Sequence, residues 1–244
     1  MSQKGGLIGG VPQVGQLRRE DFTEARVAGF AEIAARAGVK VTTAEERAAS
    51  LRATLAQHAE GHDIWIFGYG SLMWNPALDV VESRIARVHG YHRRFCLDQQ
   101  FGRGSPERPG IMLALDRGGR CQGVVHRIET EKIEGELRIL WLREMPSGAY
   151  WPRWIGARTD RGSVRAIAFV INRQHPRYLG RLPVEEVVER LAFAEGQSGT
   201  NRQYLHDTLG CMRALGITDR SLADLIERVA RRRDGTDEGN EAQR

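Results

Sequence analysis

The chain has 244 residues, 41% of them hydrophobic, and a formal net charge of +5; that is enough to bury a core as one domain with an extension or as two small domains, and no apolar run approaches the roughly 20 residues of a membrane span. Its three cysteines, Cys96, Cys121 and Cys211, are far apart and form no C-x-x-C, so spacing gives neither a zinc site nor a disulfide framework and fits a reducing cytoplasm. The arginines are spread among acids, and the densest basic run, Arg231–Arg233, falls at a predicted helix end where it complements the macrodipole, so no nucleic-acid partner is indicated.

Residues 1–18 are glycine-rich and unpatterned, with no apolar stretch of a secretory leader, and are read as flexible. "REDFTEARVAGFAEIAARAG" and "TAEERAASLRATLAQHAEG" read as helices, the second opened by a Thr43–Glu46 capping box. His58 and His62 are four apart. Gly61 ends the helix between them and Glu60 is misplaced for H-E-x-x-H, so no metal is expected there.

At Ile64 the texture changes to strand. "WIFGYGSLMW" is an apolar run that breaks at Gly68-Tyr69-Gly70-Ser71. A dinucleotide-binding loop needs a third glycine where Met73 stands, and Pro76 follows closely, which argues against that loop. Glycines there allow positive φ or close approach of a ligand, and consecutive N–H groups hold an anion; a bare strand-to-loop corner is the other reading. "RIARVHGYHRRFCL", "GIMLAL", "CQGVVHRI" and "VRAIAFVIN" are further strands, with a hairpin read at Asp116-Arg117-Gly118-Gly119. So many strands in a short region suggest a small mixed sheet or barrel. Three helices follow: "PVEEVVERLAFAEG", "NRQYLHDTLGCMRALG", with a capping box at Thr200 and Gln203, and "SLADLIERVARRR". The charged tail from residue 234 is read as disordered.

One acid is out of place. In "TEKIEGELRILWLREMPSGAYWP", Ile133, Leu137, Leu140 and Trp141 share a helical stripe, and Glu144 falls in its middle. A carboxylate on such a face is ion-paired, neutral or functional. Burial raises its pKa, which suits a general base near neutrality.

"FGYGSLMWNP", "RVHGYHRRFCL", "RGSPERPGIMLAL", "GGRCQGVVHRI" and "LREMPSGAYWPRW", followed by "SGTNRQYLHDTL", resemble in content and order the ChaC-type glutathione-specific γ-glutamylcyclotransferases, over about residues 64 to 230. The resemblance implies an α+β fold, a closed or nearly closed mixed β-barrel with flanking helices. It implies cleavage of glutathione to 5-oxoproline and cysteinylglycine, a ring-forming lyase reaction with no metal or organic cofactor. In such enzymes the Y-G-S-L loop, here Tyr69, Gly70, Ser71 and Leu72, holds the γ-glutamyl end, and the R-E-x-x-x-G-Y block places the catalytic glutamate at Glu144. Arg94 lies in a matching strand and meets a carboxylate or is structural. Tyr150 walls the pocket or packs in the core, and Tyr204 donates its hydroxyl to substrate. The resemblance divides the chain into an extension over 1–62, to which no activity is assigned, a cyclotransferase domain over 63–233, and the tail 234–244.

Phe101-Gly102 stand where the family often carries a polar pair, so ring closure on other γ-glutamyl amines or peptides is the second reading. A non-catalytic basic binding module is the third. A cytoplasmic enzyme acting on a small molecule, with no nucleic-acid or membrane partner, is the expectation; the sequence does not fix an oligomeric state.

Overall fold

The computed structural model describes residues 18–36 and 40–241. Residues 1–17, read above as flexible, lie outside the described residues. The chain forms two compact units, Met1–Arg93 with Leu115–His175, and Arg94–Ala114 with Pro176–Arg244. The block read from sequence as one domain, 63–233, contributes to both.

The first unit is built on β1 (Ile64–Gly68), β2 (Glu82–Gln99), β3 (Gly110–Ile128), β4 (Tyr150–Thr159) and β5 (Gly162–Ile171). They close into a mixed barrel in the order β1-β3-β2-β4-β5. β5 completes it by pairing parallel to β1, with Trp65 opposite Ala166 and Ile66 opposite Ile167. The apolar runs of β1 and β5 are buried on both faces, which is why they do not alternate with polar residues. Phe67, Ala166, Ala168 and Val170 point into the barrel, where Val88, Leu115, Val125 and Ala157 meet them. Their neighbours Ile64, Ile66, Ile167 and Phe169 point outward and pack on Leu137, Leu140 and Trp141 of α3 (Ile133–Glu144). Alanines at several inward positions suit the narrow bore of a small barrel.

Two helices precede the barrel, α1 (Glu24–Arg36) and α2 (Ala44–Leu55). α2 opens on the expected capping box: Glu46 N–H donates to Thr43 Oγ1 at 3.0 Å, and Thr43 N–H to the Glu46 carboxylate at 2.7 Å. The hairpin expected at Asp116–Gly119 does not form; β3 runs unbroken through it. Gly118 and Gly119 have φ of +102° and +71° and bend the strand instead of reversing it. Asp116 accepts from Arg117 N–H and from Arg173 Nε, which satisfies its buried carboxylate without a turn.

The second unit carries α4 (Val184–Phe193), the two-residue strands β6 (Glu195–Gly196) and β7 (Gly199–Thr200), α5 (Asn201–Ala214) and α6 (Arg220–Glu241). Only half of the second capping box is present. Thr200 Oγ1 accepts from Gln203 N–H, but the Gln203 amide turns forward to Asp207 at 2.5 Å. Asn201 binds Ile111 as a peptide would, accepting from its N–H at 2.7 Å and donating to its carbonyl at 2.8 Å. α6 continues to Glu241, past the point where a disordered tail was expected; residues 242–244 lie outside the described residues. Arg231–Arg233 therefore sit within the helix, not at its end. Arg232 pairs with the Glu189 carboxylate at 3.0 Å, and Arg233 donates to the Ala192 backbone carbonyl, so partners on α4 replace the macrodipole as the reason for these two.

Candidate active site

β1 ends where the chain doubles back on itself. A Cβ on Gly68 would lie 3.0 Å from both the carbonyl carbon and the Cβ of Leu72, a contact that would push Leu72 away, so glycine favours the close entry of the strand into the following turn. That turn is a single 3₁₀ turn over Ser71–Met73, held by Met73 N–H on the Gly70 carbonyl at 2.9 Å. The glycines do not serve positive φ, which was one of the two reasons expected for them: Gly70 has φ of −134°, and Gly68 is not among the positive-φ residues. Close approach is the reason at Gly68.

Tyr69 is 7% exposed, packs in the barrel interior and donates its hydroxyl to the Phe169 carbonyl at 3.1 Å. Leu72 is buried in the layer between barrel and α3. The Leu72 carbonyl and the half-buried Ser71 hydroxyl are both held by neighbours. His126 Nε2 lies 2.9 Å from the Leu72 carbonyl, and its Nδ1 lies 2.8 Å from Ser83 Oγ. A carbonyl only accepts, so Nε2 carries the hydrogen and Ser83 donates to Nδ1. Burial lowers the His126 pKa to about 4, which keeps the ring neutral in this role.

The other neighbour is Arg143. Its Nη2 donates to Ser71 Oγ at 3.0 Å, and its Nη1 to the carbonyls of Asn75 at 2.5 Å and Pro76 at 3.2 Å. Its Nε sits 2.9 Å from Oε1 of Glu144. One guanidinium thus joins the loop to the carboxylate singled out in the sequence. Glu144 is the last residue of α3, its side chain 15% exposed. Burial raises its pKa above the ordinary carboxylate range, and the charge and hydrogen bond of Arg143 oppose that rise without cancelling it. Oε2 has no hydrogen-bond partner among the described residues. A carboxylate with a raised pKa and one open oxygen can take up a proton and give it back.

Tyr150, half-buried at the start of β4, packs at the edge of the same α3 layer. Tyr69, Gly70, Ser71, Leu72, Tyr150 and Glu144 all lie in the first unit, where Arg143 links Ser71 to Glu144. Arg94 and Tyr204 fall in the second unit. Arg94 is half-buried in β2. Tyr204 is 2% exposed on α5, its ring edge-on to Phe95 and 5.6 Å from the Arg103 guanidinium. Arg143 and His126 escaped the sequence reading. Arg143 adjoins Glu144 in sequence, but its role depends on where a loop some seventy residues earlier comes to rest. Of the two histidines four apart, His58 stacks on Trp154 and its Nε2 faces the His62 carbonyl at 2.7 Å.

A family model described as ChaC-like protein matches residues 64–232. A relative from Escherichia coli (strain K12), named glutathione-specific γ-glutamylcyclotransferase, is 46% identical over 188 residues, covering 77% of this chain and 81% of the relative. A human relative, glutathione-specific γ-glutamylcyclotransferase 1, is 34% identical over 173 residues, covering 68% and 78%. A crystal structure of a γ-glutamyl cyclotransferase specific to glutathione from yeast shares the fold with a TM-score of 0.64 at 21% identity, over 69% of this chain and 96% of that one.

Proposed function

The chain belongs to the ChaC-like family, and from that premise we propose that it is a glutathione-specific γ-glutamylcyclotransferase in which Glu144 is the general acid–base. The α-amine of the γ-glutamyl residue attacks its own γ-amide carbonyl. A C–N bond closes the five-membered lactam, and the bond to the cysteinyl nitrogen breaks. The products are 5-oxoproline and cysteinylglycine. The α-ammonium cannot attack until it loses a proton. Glu144 accepts that proton and delivers it to the departing amine, and the second proton that the attacking nitrogen sheds as the lactam forms passes to the same amine, which leaves as an ammonium, so atoms and charge balance within one turnover.

Because nucleophile and electrophile belong to one molecule, the protein's task is to hold the chain curled. Orientation of this kind supplies on the order of 7–11 kcal/mol in favourable cases, and a positioned acid–base about 10²–10⁴-fold. Backbone donors of Gly70, Ser71 and Leu72 hold the α-carboxylate or the developing oxyanion. Tyr69 contributes through its backbone and through the seat its buried ring gives the loop. Tyr150 flanks the bound γ-glutamyl group. Arg94 and Tyr204 enter the reading only through the family resemblance.

One observation carries the proposal: a single guanidinium, that of Arg143, is bonded both to Ser71 of the Y-G-S-L loop and to Glu144. The test is a substrate panel of glutathione, γ-glutamylcysteine and other γ-glutamyl peptides and amines, with 5-oxoproline quantified by mass spectrometry. Release from glutathione well above the rest is the expected result. Equal or faster release from the others moves the substrate to that class, and no 5-oxoproline from any of them overturns the reading.

A further inference from the structure

The residues before position 64 lie outside the family match, yet they reach the candidate site. Arg19 meets Glu136 with both terminal nitrogens, Nη2 at 2.6 Å from Oε1 and Nη1 on Oε2. Phe22, 8% exposed, lays its ring 5.5 Å from the Arg143 guanidinium. Glu136 and Arg143 are seven residues apart on α3, two helical turns, and so share a face. These two side chains also grip the loop after β1. Glu136 Oε2 accepts from Asp79 N–H at 2.9 Å, and Arg143 binds Ser71, Asn75 and Pro76. Between the grips stands Ala77 with φ of +55°, a backbone state that non-glycine residues keep only when their surroundings enforce it.

Resting on the function proposed above, we infer that Arg19 and Phe22 are positioning residues for catalysis: the segment Arg18–Phe22 is a strap over α3 that fixes the loop 71–79, and with it Ser71, against Glu144. The two contacts act differently. Glu136 is 4% exposed, and Arg19 pairs with both of its oxygens while Oε2 also holds the Asp79 amide. Phe22 shields the guanidinium of Arg143 from water, which strengthens its bonds to Ser71 and Glu144 and adds a cation–π contact. The extension thereby acts on turnover without touching substrate.

The experiment uses the full chain with Arg19→Ala, Phe22→Ala, Phe22→Leu and Phe22→Trp, each assayed below its own melting transition. Saturating glutathione gives kcat and a titration gives KM; hydrogen–deuterium exchange is followed in peptides from 71–79 and from β4 and β5. The inference expects kcat to fall about tenfold or more for Arg19→Ala and Phe22→Ala, as small misplacements do, with KM changed much less. Exchange should rise in 71–79 and stay unchanged in β4 and β5, and Phe22→Trp should restore kcat because its ring face still meets a cation. Phe22→Leu serves if the alanine variant does not fold, and should show the same kcat loss because it fills space without a ring face. An active wild type with unchanged kcat in these variants overturns the strap and leaves the function standing. So does a loss that comes with equal extra exchange in β4 and β5, since that is general destabilisation. An inactive wild type fails the functional reading instead.

Discussion

At Arg143 a planar cation does what a point charge cannot. Its nitrogens diverge to Ser71 Oγ, to two loop carbonyls and to Glu144 Oε1 at once. Arg143→Lys keeps the charge and loses the fork. It should lower kcat by about 10–10²-fold, in line with lost positioning, while the melting temperature falls only modestly; a lysine variant with wild-type kcat would mean that charge alone suffices. His126 offers a test through pH. Its folded pKa of about 4 lies below the unfolded value near 6.5. The folded state thus prefers the neutral ring, and the stabilisation is full above about pH 6.5 and fades as pH falls toward 4, amounting to at most ~3 kcal/mol. Denaturant unfolding between pH 7 and 4 should show wild type losing more stability than His126→Gln, and parallel curves would contradict the assignment. At this scale, the burial of Glu144 could be read from sequence because its oddity is local: an acid on an apolar stripe. Glu136, Arg143 and His126 could not, because each is defined by a backbone group far away in sequence.

Local chemistry also decides which elements the sequence shows. The Thr43–Glu46 box and the apolar runs of β1 and β5 depend on neighbours within a few residues, and both were legible. Gly118-Gly119 carries the composition of a turn, yet the flanking halves of β3 belong to one long strand, which bends at those glycines. Turn residues cannot by themselves distinguish a bend from a reversal; the pairing partners do. Likewise, Gln203 prefers Asp207 one turn ahead to the backbone behind it. The entry from β1 into the loop is set by packing. Gly68→Ala brings a methyl to 3.0 Å from the Leu72 backbone and side chain, and should cost about 1–3 kcal/mol as overpacking does. Thermal melting measures the cost, and kcat below the transition should fall as well because Leu72 must move. A variant as stable and active as wild type would show that the turn has room.

Taken as a whole, the barrel and α3 supply the rigid frame on which Glu144 and the Y-G-S-L loop meet, and the fold expected from the resemblance is the fold observed. Among the described residues no helix is long and apolar enough to cross a membrane, and no group of three or more His, Cys, Asp or Glu residues is arranged to hold a metal. What the sequence could not convey at this scale is the division into two units that share β2 and β3, because a contact boundary inside a strand leaves no mark in composition. Nor could it show that the extension reaches α3, since Arg19 and Phe22 acquire their meaning only from Glu136 and Arg143. The most direct measurement of the central claim compares wild type with Glu144→Gln, recording 5-oxoproline and cysteinylglycine from glutathione beside a melting curve of each. The account predicts equimolar products from wild type and a kcat at least ~10²-fold lower for the glutamine variant, as loss of a general base entails, with cooperative unfolding retained. A folded Glu144→Gln protein that turns over glutathione at the wild-type rate would contradict it.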